Sequence, residues 1–302
     1  MASNKIVIIG AGRMGQGLAE AISTAGNEVI LVDKTTKLAK QGIKGISEAI
    51  DREIGRWGLT ASDKKAILSR ITPSADISEA EDAEIVMDAI PEELGEKREL
   101  FKQLGEICQP DAVLITNTST LSISEIAAGT HRARRVIGMH FLNPVARIPL
   151  VEIVKGLRTD EATFKKAVEL ADMLDKKYIT VIEYPGYVTT RIIVTMLNEA
   201  MHVLMEGVAS ADDIDEAMKL GFGFNVGPLA MADQMGLDVV MTWMENMLHE
   251  LSEHKYNPCP LLRKLVRAGH IGVKSGHGFF HYDKEGNRIS GPEANDDGGD
   301  QT

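Results

Sequence analysis

Residues 5–15 of the chain, Lys-Ile-Val-Ile-Ile-Gly-Ala-Gly-Arg-Met-Gly, decide the fold class. An uninterrupted apolar run leads directly into Gly10, Gly12 and Gly15. Such a run is typical of a strand that is buried on both faces in a parallel sheet. The first glycine allows a tight turn, the second lets a pyrophosphate approach the backbone, and the third lets the helix pack on the strand. The stretch therefore predicts the start of a dinucleotide-binding domain.

Asp33 is the acidic residue that such a site requires. It ends a second apolar run at residues 28–33 and follows Gly15 by 18 positions. A carboxylate there accepts a hydrogen bond from a ribose 2′-hydroxyl and repels a 2′-phosphate, which favours NAD over NADP, although Lys34 weakens that preference. The helix that includes Arg13 and Met14 offers its N-terminal N–H groups to the phosphates. A purely structural glycine turn would not require this order of strand, turn, helix and acid.

Apolar runs and helical patterns alternate throughout the first 184 residues. Further strand-like runs occupy residues 83–90, 112–116, 135–139, 150–154 and 179–183. The charged stretch 36–69 is longer than a simple crossover needs, and it is interpreted as a projecting helical hairpin. The predicted fold class is α/β, with a doubly wound, mostly parallel Rossmann-type sheet that carries a helical-hairpin insertion.

The pattern changes at Tyr184-Pro185-Gly186, after which helical periodicity rich in Met and Leu replaces the strand signals. The predicted domains are therefore a nucleotide-binding domain at 1–184 and an all-helical C-terminal domain at 185–285. Residues 286–302 lack apolar anchors and are predicted to form a disordered tail.

Composition excludes several classes of function. The net charge of −11 argues against nucleic acid as a partner, because binding to phosphate backbones depends on clustered Lys and Arg. No run is long and apolar enough for a membrane span or a signal peptide, so no membrane partner is expected. Cys108 and Cys259 have no metal or redox spacing, and unpaired thiols favour a reducing compartment. The chain is predicted to be cytoplasmic and to hold no metal.

Three polar residues interrupt or follow apolar strands. Ser119 follows the run 112–116, His140 ends the run that begins at 135, and Glu152 lies inside Leu-Val-Glu-Ile-Val. A buried carboxylate needs a partner. If the chain reverses near Ala146, Glu152 meets His140, fixes its tautomer and leaves the other ring nitrogen to accept a proton. Composition alone leaves a structural role for His140 and a helix cap for Ser119 open, although Ser122 makes the better cap.

Several motifs resemble those of the L-3-hydroxyacyl-CoA dehydrogenase family. The most specific are Asn-Thr-Ser at 117–119, Gly-Met-His-Phe-Leu-Asn-Pro at 138–144, Leu-Val-Glu at 150–152, and the segments 227–238 and 272–279. The resemblance extends from Ile6 to Tyr282. It implies oxidation of a short-chain L-3-hydroxyacyl-CoA with NAD, as in fatty acid metabolism and beta-oxidation. It also implies a homodimer formed through the C-terminal helical domain.

The resemblance assigns roles to individual residues. His140 is implied as the general base, Glu152 as its charge partner, and Ser119 as a neighbour of the substrate oxygen and the nicotinamide. Further NAD contacts are implied for Glu92, Lys97, Asn143 and Lys274, and substrate contacts for Asn117, Arg56 and Thr190. Thr190 is also implied as a member of the catalytic site. Without the family, solvated side chains would explain Glu92, Lys97 and Lys274 equally well.

Two departures from the family pattern leave the substrate open. Thr190 replaces the usual Asn, which has a longer reach and an additional donor, and Asn225-Val226-Gly227-Pro228 replaces the usual Pro-Met-Gly-Pro. The alternatives are an NAD-dependent dehydrogenase of a free hydroxy acid, of the gulonate or carnitine type, and a non-catalytic NAD-binding protein. Relatives of the first kind tend to carry Pro where this chain has Phe141.

Overall fold

The computed structural model describes residues 5–54 and 59–289 and divides the chain into two compact units. The first unit ends at Tyr187 and the second begins at Val188. This division falls three residues after the domain boundary that the sequence predicts at Tyr184. Among the described residues, no helix is both long enough and apolar enough to cross a membrane.

The described part of the first unit contains an eight-stranded sheet. Its strands are β1 (Ile6–Ile9), β2 (Val29–Val32), β3 (Ile71–Ser74), β4 (Ile85–Asp88), β5 (Val113–Thr116), β6 (Val136–Phe141), β7 (Leu150–Lys155) and β8 (Lys177–Ile182). Their spatial order is β3-β2-β1-β4-β5-β6-β7-β8, and neighbours are parallel except for β6 and β7. The predicted doubly wound, mostly parallel sheet is confirmed.

Helices connect these strands and cover the sheet. They are α1 (Arg13–Thr24), α2 (Thr36–Glu53), α3 (Ala61–Ser69), α4 (Leu94–Ile107), α5 (Ile123–Ala127) and α6 (Glu161–Met173). Helices α2 and α3 form the predicted hairpin insertion. A capping box begins α3, in which Thr60 and Asp63 exchange side-chain to backbone hydrogen bonds. This cap explains why a new helix begins at Ala61.

Strand β1 shows why the apolar runs become buried strands. Its side chains alternate between two apolar clusters, with Ile6 and Ile8 in one and Val7 and Ile9 in the other. Residues of α1 and α2 complete the first cluster, and residues of α4 complete the second. Since successive side chains point to opposite faces, a continuous apolar run is stable where helices cover both faces.

The second unit is helical, as predicted. Its helices are α7 (Thr189–Met205), α8 (Ala211–Phe222), α9 (Pro228–Met235), α10 (Leu237–Leu251) and α11 (Pro260–Arg267). Asp233 of α9 is buried and organises the loop after α11. Its carboxylate accepts hydrogen bonds from the backbone of Phe279 and Phe280 and from the hydroxyl of Tyr282, each at 3.0 Å.

The predicted disordered tail starts too early. Tyr282 pairs with Arg288 in an antiparallel bridge, and the N–H of Ile289 donates to the carbonyl of His281 at 2.9 Å. Because these backbone groups are satisfied within a small hairpin, residues 286–289 belong to the second unit. The rest of the predicted tail, 290–302, lies outside the described residues.

Candidate active site

The three glycines of the first turn have the geometry that a dinucleotide loop needs. Gly10 has a φ of +108°, and a Cβ there would lie 2.7 Å from the carbonyl oxygen of Ala89. A Cβ on Gly15 would lie 1.7 Å from the carbonyl oxygen of Gly10, so any larger residue would force the helix away from the turn. A Cβ on Gly12 would meet no atom within 4 Å among the described residues. The backbone at Gly12 is thus open to a ligand.

Helix α1 begins directly at this loop. Among the described residues, no side chain caps its N-terminus, and its first turn carries no acidic residue. Arg13 is exposed, while Met14 packs against the apolar core. Free N–H groups at a helix N-terminus attract phosphate groups. The loop and the helix therefore fit a dinucleotide pyrophosphate.

Asp33 lies next to the glycine loop. Its carboxylate accepts hydrogen bonds from the backbone N–H of Ala11 at 2.8 Å and of Lys34 at 2.7 Å. Each carboxylate oxygen has a second lone pair available. The side chain is only partly buried. It is therefore both oriented and accessible, as contact with a ribose hydroxyl requires.

His140 and Glu152 lie directly opposite each other on β6 and β7. Nδ1 of His140 lies 2.6 Å from Oε2 of Glu152, and the two residues are 2% and 0% exposed. Ser119 approaches the other side of the ring, with Oγ at 3.1 Å from Nε2. If Nδ1–H donates to the carboxylate, the neutral ring presents Nε2 as an acceptor, and the Ser119 hydroxyl can donate to it. The arrangement can accept a proton at Nε2 and stabilise the resulting imidazolium.

Ser119 belongs to a loop, residues 117–122, that follows β5. The Asn117 side chain accepts a hydrogen bond from the N–H of Phe141 at 2.9 Å, which ties this loop to the end of β6. Glu92 accepts hydrogen bonds from the loop at Thr118, Ser119 and Thr120. The structure thus brings together five residues that the sequence analysis selects. They are Glu92, Asn117, Ser119, His140 and Glu152.

Lys97 occupies a different environment from the one expected of a cofactor contact. Its side chain is 1% exposed, and its ammonium lies 2.7 Å from the carboxylate of Asp88. The same carboxylate accepts a hydrogen bond from the hydroxyl of Thr116 at 2.8 Å. The solvated alternative for Lys97 is excluded, and the charge is neutralised within the first unit.

The connection between β6 and β7 carries Asn143. This residue is exposed, and it precedes Pro144 in a cis peptide bond. The ammonium of Lys176 donates to the carbonyls of Val145 and Ile148, at 2.5 and 2.8 Å. Burial lowers the pKa of Lys176, although Asp175 opposes the shift. Lys176 holds this connection in place, and the sequence analysis missed it because the contact spans about 30 residues.

The remaining predicted site residues belong to the second unit or lie outside the described residues. Thr190 is buried in the first turn of α7, and the ammonium of Lys274 lies 2.6 Å from the carboxylate of Asp238, both in the second unit. Arg56 lies outside the described residues.

Tyr187, which the sequence analysis did not select, lies beside His140. The two ring centroids are 5.6 Å apart, and the Tyr187 backbone has a φ of +47°, which is uncommon for a bulky residue. Among the described residues, the buried hydroxyl has no hydrogen-bond partner. Burial, with a smaller effect of the Glu92 carboxylate, raises the pKa of Tyr187 well above its usual range. Its place after Pro185-Gly186 is the one sequence signal that marks it.

Comparisons with known proteins identify the family of the chain. Residues 5–184 match the family model "3-hydroxyacyl-CoA dehydrogenase, NAD binding domain", and residues 186–282 match "3-hydroxyacyl-CoA dehydrogenase, C-terminal domain". The chain is 43% identical over 285 residues to the probable 3-hydroxybutyryl-CoA dehydrogenase of Bacillus subtilis, covering 94% of this chain and 99% of that protein.

Solved structures show the same similarity. The structure of FadB2 from M. tuberculosis matches with a TM-score of 0.90 and 35% identity, covering 94% of this chain and 100% of that one. The (S)-3-hydroxybutyryl-CoA dehydrogenase PaaH1 from Ralstonia eutropha matches with a TM-score of 0.84 and 40% identity over the same shares of the two chains. The chain belongs to the 3-hydroxyacyl-CoA dehydrogenase family.

Proposed function

We propose that this protein catalyses the reversible, NAD-dependent oxidation of the 3-hydroxyl group of a short-chain L-3-hydroxyacyl-CoA. The observation that carries the proposal is the buried hydrogen-bonded chain from Glu152 through His140 to Ser119. It lies in the same unit as the glycine loop. Similar proteins are named as 3-hydroxybutyryl-CoA dehydrogenases, and these names support this class of substrate.

The dehydrogenation removes a hydride from C3 and a proton from the hydroxyl oxygen. When bound, NAD⁺ accepts the hydride. Nε2 of His140 takes the proton, and the carboxylate at Nδ1 stabilises the imidazolium. Ser119, 3.1 Å from Nε2, holds the substrate oxygen within reach of the ring. In the reverse direction the imidazolium returns the proton to the oxygen of the 3-oxo group.

The residues of the first unit would hold NAD in a defined way. The backbone from Gly10 to Gly15 and the N-terminus of α1 would bind the pyrophosphate, and Arg13 and Met14 would flank it. The carboxylate of Asp33 would accept from the adenosine ribose and disfavour NADP. We also place Asn143 and Lys274 among the cofactor contacts, and Asn117, Thr190 and Arg56 among the substrate contacts. These assignments rest on the family resemblance.

Initial rates of NADH oxidation test the proposal. Acetoacetyl-CoA should be reduced, and free acetoacetate should be a much poorer substrate. His140→Gln should lower kcat by about 10² to 10⁴-fold, the size expected for loss of a general base. His131→Gln is the matched control, because His131 is an exposed imidazole of the same unit. Equal turnover of the free acid would instead support a free hydroxy acid dehydrogenase, and no turnover at all would support a non-catalytic NAD-binding protein.

We further propose that the protein forms a homodimer through its helical unit. The support is a set of exposed large apolar side chains in that unit, namely Ile192, Val208, Leu220 and Phe222. Light scattering should give twice the chain mass, and Leu220→Lys with Phe222→Glu should give the monomer. The control is Leu157→Lys, which changes an exposed leucine of the first unit. The cytoplasmic location stays a prediction that cell fractionation tests.

A further inference from the structure

One carboxylate oxygen holds the backbone that carries Ser119. Oε1 of Glu92 accepts the N–H of Ser119 at 2.7 Å and the N–H of Thr120 at 2.8 Å. The same oxygen accepts the hydroxyls of Thr118 at 2.8 Å and Thr120 at 3.0 Å. Hydrogen bonds to a carboxylate are stronger than those between neutral groups. Glu92 thus restrains three consecutive residues of the loop, with Ser119 in the middle.

A buried ion pair restrains the segment that carries Glu92. The ammonium of Lys97 bonds the carboxylate of Asp88 at 2.7 Å and the carbonyl of Ile90 at 3.2 Å. The N–H of Ile90 donates in turn to Oδ1 of Asp88 at 3.0 Å. Ile90 is therefore fixed through both of its backbone polar groups, two residues before Glu92. The Asp88–Lys97 pair is completely enclosed, so this support does not depend on solvent.

We propose that Glu92 is a positioning residue for Ser119, and that the Asp88–Lys97 ion pair restrains the segment that carries Glu92. This inference rests on the proposed function, because it takes the Ser119–His140 contact as part of the reacting centre. The contact requires the Ser119 hydroxyl to stay 3.1 Å from Nε2 of His140. A displacement of about 1 Å at a reacting centre costs about 10²-fold in rate. Glu92 sets the position of Ser119 relative to the ring.

Positioning and direct cofactor contact make different predictions. All four donors converge on Oε1, so Glu92→Gln still offers one carbonyl oxygen to the same donors. Glu92→Ala removes the acceptor. A role as a positioning residue therefore survives the change to glutamine and is lost in alanine. A role as a charged cofactor contact through Oε2 is lost in both variants.

The experiment compares Glu92→Ala, Glu92→Gln, Ser119→Ala and the Glu92→Ala, Ser119→Ala double variant. Glu93→Ala is the matched control, since Glu93 is the exposed neighbour and its side chain does not cap α4. Three quantities are measured for each. They are kcat for NADH and acetoacetyl-CoA, the Kd of NADH from fluorescence titration, and amide hydrogen exchange at Ser119 and Thr120.

We expect Glu92→Ala to lower kcat by about 10²-fold, while the Kd of NADH stays within about threefold of the wild-type value. Glu92→Gln and Glu93→Ala should keep kcat within about fivefold of the wild-type value. The double variant should be no slower than Ser119→Ala, because residues that act as a unit are not additive. Amide exchange at Ser119 and Thr120 should accelerate in Glu92→Ala and stay slow in Glu92→Gln.

Two outcomes would overturn the inference. The first is a Kd of NADH raised by more than about tenfold in both Glu92 variants with kcat retained at saturation, which would indicate direct cofactor contact. The second is unchanged amide exchange in Glu92→Ala. The exchange measurement needs no turnover. If the wild-type protein failed to reduce acetoacetyl-CoA, the proposed function would fail, and the restraint of the Ser119 backbone by Glu92 would still be measured.

Discussion

The imidazole of His140 and the carboxylate of Glu152 are a cross-strand pair of the antiparallel strands β6 and β7. Both residues are therefore attached to the rigid sheet and not to a loop. The register of the two strands sets the 2.6 Å separation of Nδ1 and Oε2. A one-residue slip would send one of the two side chains to the other face of the sheet. The site thus depends on strand pairing.

Glu152→Gln tests the electrostatic part of this pair. The amide retains the shape of the side chain but not its charge, so the imidazolium loses its stabilising partner. We expect kcat to fall by about 10² to 10⁴-fold. Steady-state rates check this. Glu161→Gln, an exposed glutamate paired with Lys155, is the control. A variant with wild-type kcat would remove Glu152 from the mechanism.

Lys97→Met tests the buried ion pair. Removal of the ammonium leaves the enclosed Asp88 carboxylate without a counter-charge, since the two side chains are 1% and 0% exposed, and only neutral donors from Thr116 and Ile90 remain. Loss of one partner of a buried pair costs about 3–5 kcal/mol in the free energy of unfolding. Urea denaturation measures the change, with the exposed Lys102→Met as control. A loss below about 1 kcal/mol, the range of exposed pairs, would contradict the structural role.

Asp233 makes the stability of the protein depend on pH. Burial raises the pKa of Asp233 from 3.8 to about 6, against the effect of its hydrogen bonds to Phe279 and Phe280. Because the folded state binds the proton more tightly, this group destabilises the fold above pH 6. The free energy of unfolding rises as the pH falls through 6 and Asp233 takes up a proton, and the destabilisation is gone below 3.8. The full difference is about 3 kcal/mol, at about 1.4 kcal/mol for each pKa unit.

Calorimetry between pH 5 and 7.5 measures this dependence. The melting temperature of Asp233→Asn relative to that of the wild type should be lowest at pH 5, because the neutral carboxyl of the wild type is then at its most stabilising. The exposed Asp111→Asn of the first unit is the control and should show no such trend. The same offset at both ends of this pH range would show that Asp233 does not titrate there.

Tyr187→Phe separates the ring of Tyr187 from its hydroxyl. A buried polar group without a partner costs about 1–3 kcal/mol, so we expect phenylalanine to raise the free energy of unfolding by about 1 kcal/mol. Tyr187→Leu also removes the ring contact with His140. Aromatic contacts are worth about 0.5–1.5 kcal/mol, so kcat should fall by up to about tenfold in Tyr187→Leu and stay unchanged in Tyr187→Phe. A loss of kcat in Tyr187→Phe would assign a role to the hydroxyl instead.

Much of the fold could be predicted from local patterns in the sequence. The strand, glycine turn and helix at residues 5–24 were predictable because their signals lie within one continuous segment. Strand β3 was missed because Ile71-Thr-Pro-Ser is short, contains proline and is only partly buried at the sheet edge. The backbone pairing of residues 288 and 289 could not be predicted, because Arg288 and Ile289 are polar or isolated in the sequence and are held by partners in the 281–283 segment.

The sequence by itself determined the fold class and the cofactor signature, since each depends on residue type and local spacing, and the family resemblance pointed to His140 and Glu152 as the proposed proton-transfer residues. Only the tertiary structure decided which side chains hold those residues in place. Glu92 lies 27 positions from Ser119, and Lys176 lies 31 positions from Val145. Tyr187 likewise contacts His140, although it is the last residue of the first unit and lies 47 positions further along the chain. Such contacts arise when distant segments are packed together, and no local pattern of residues records them.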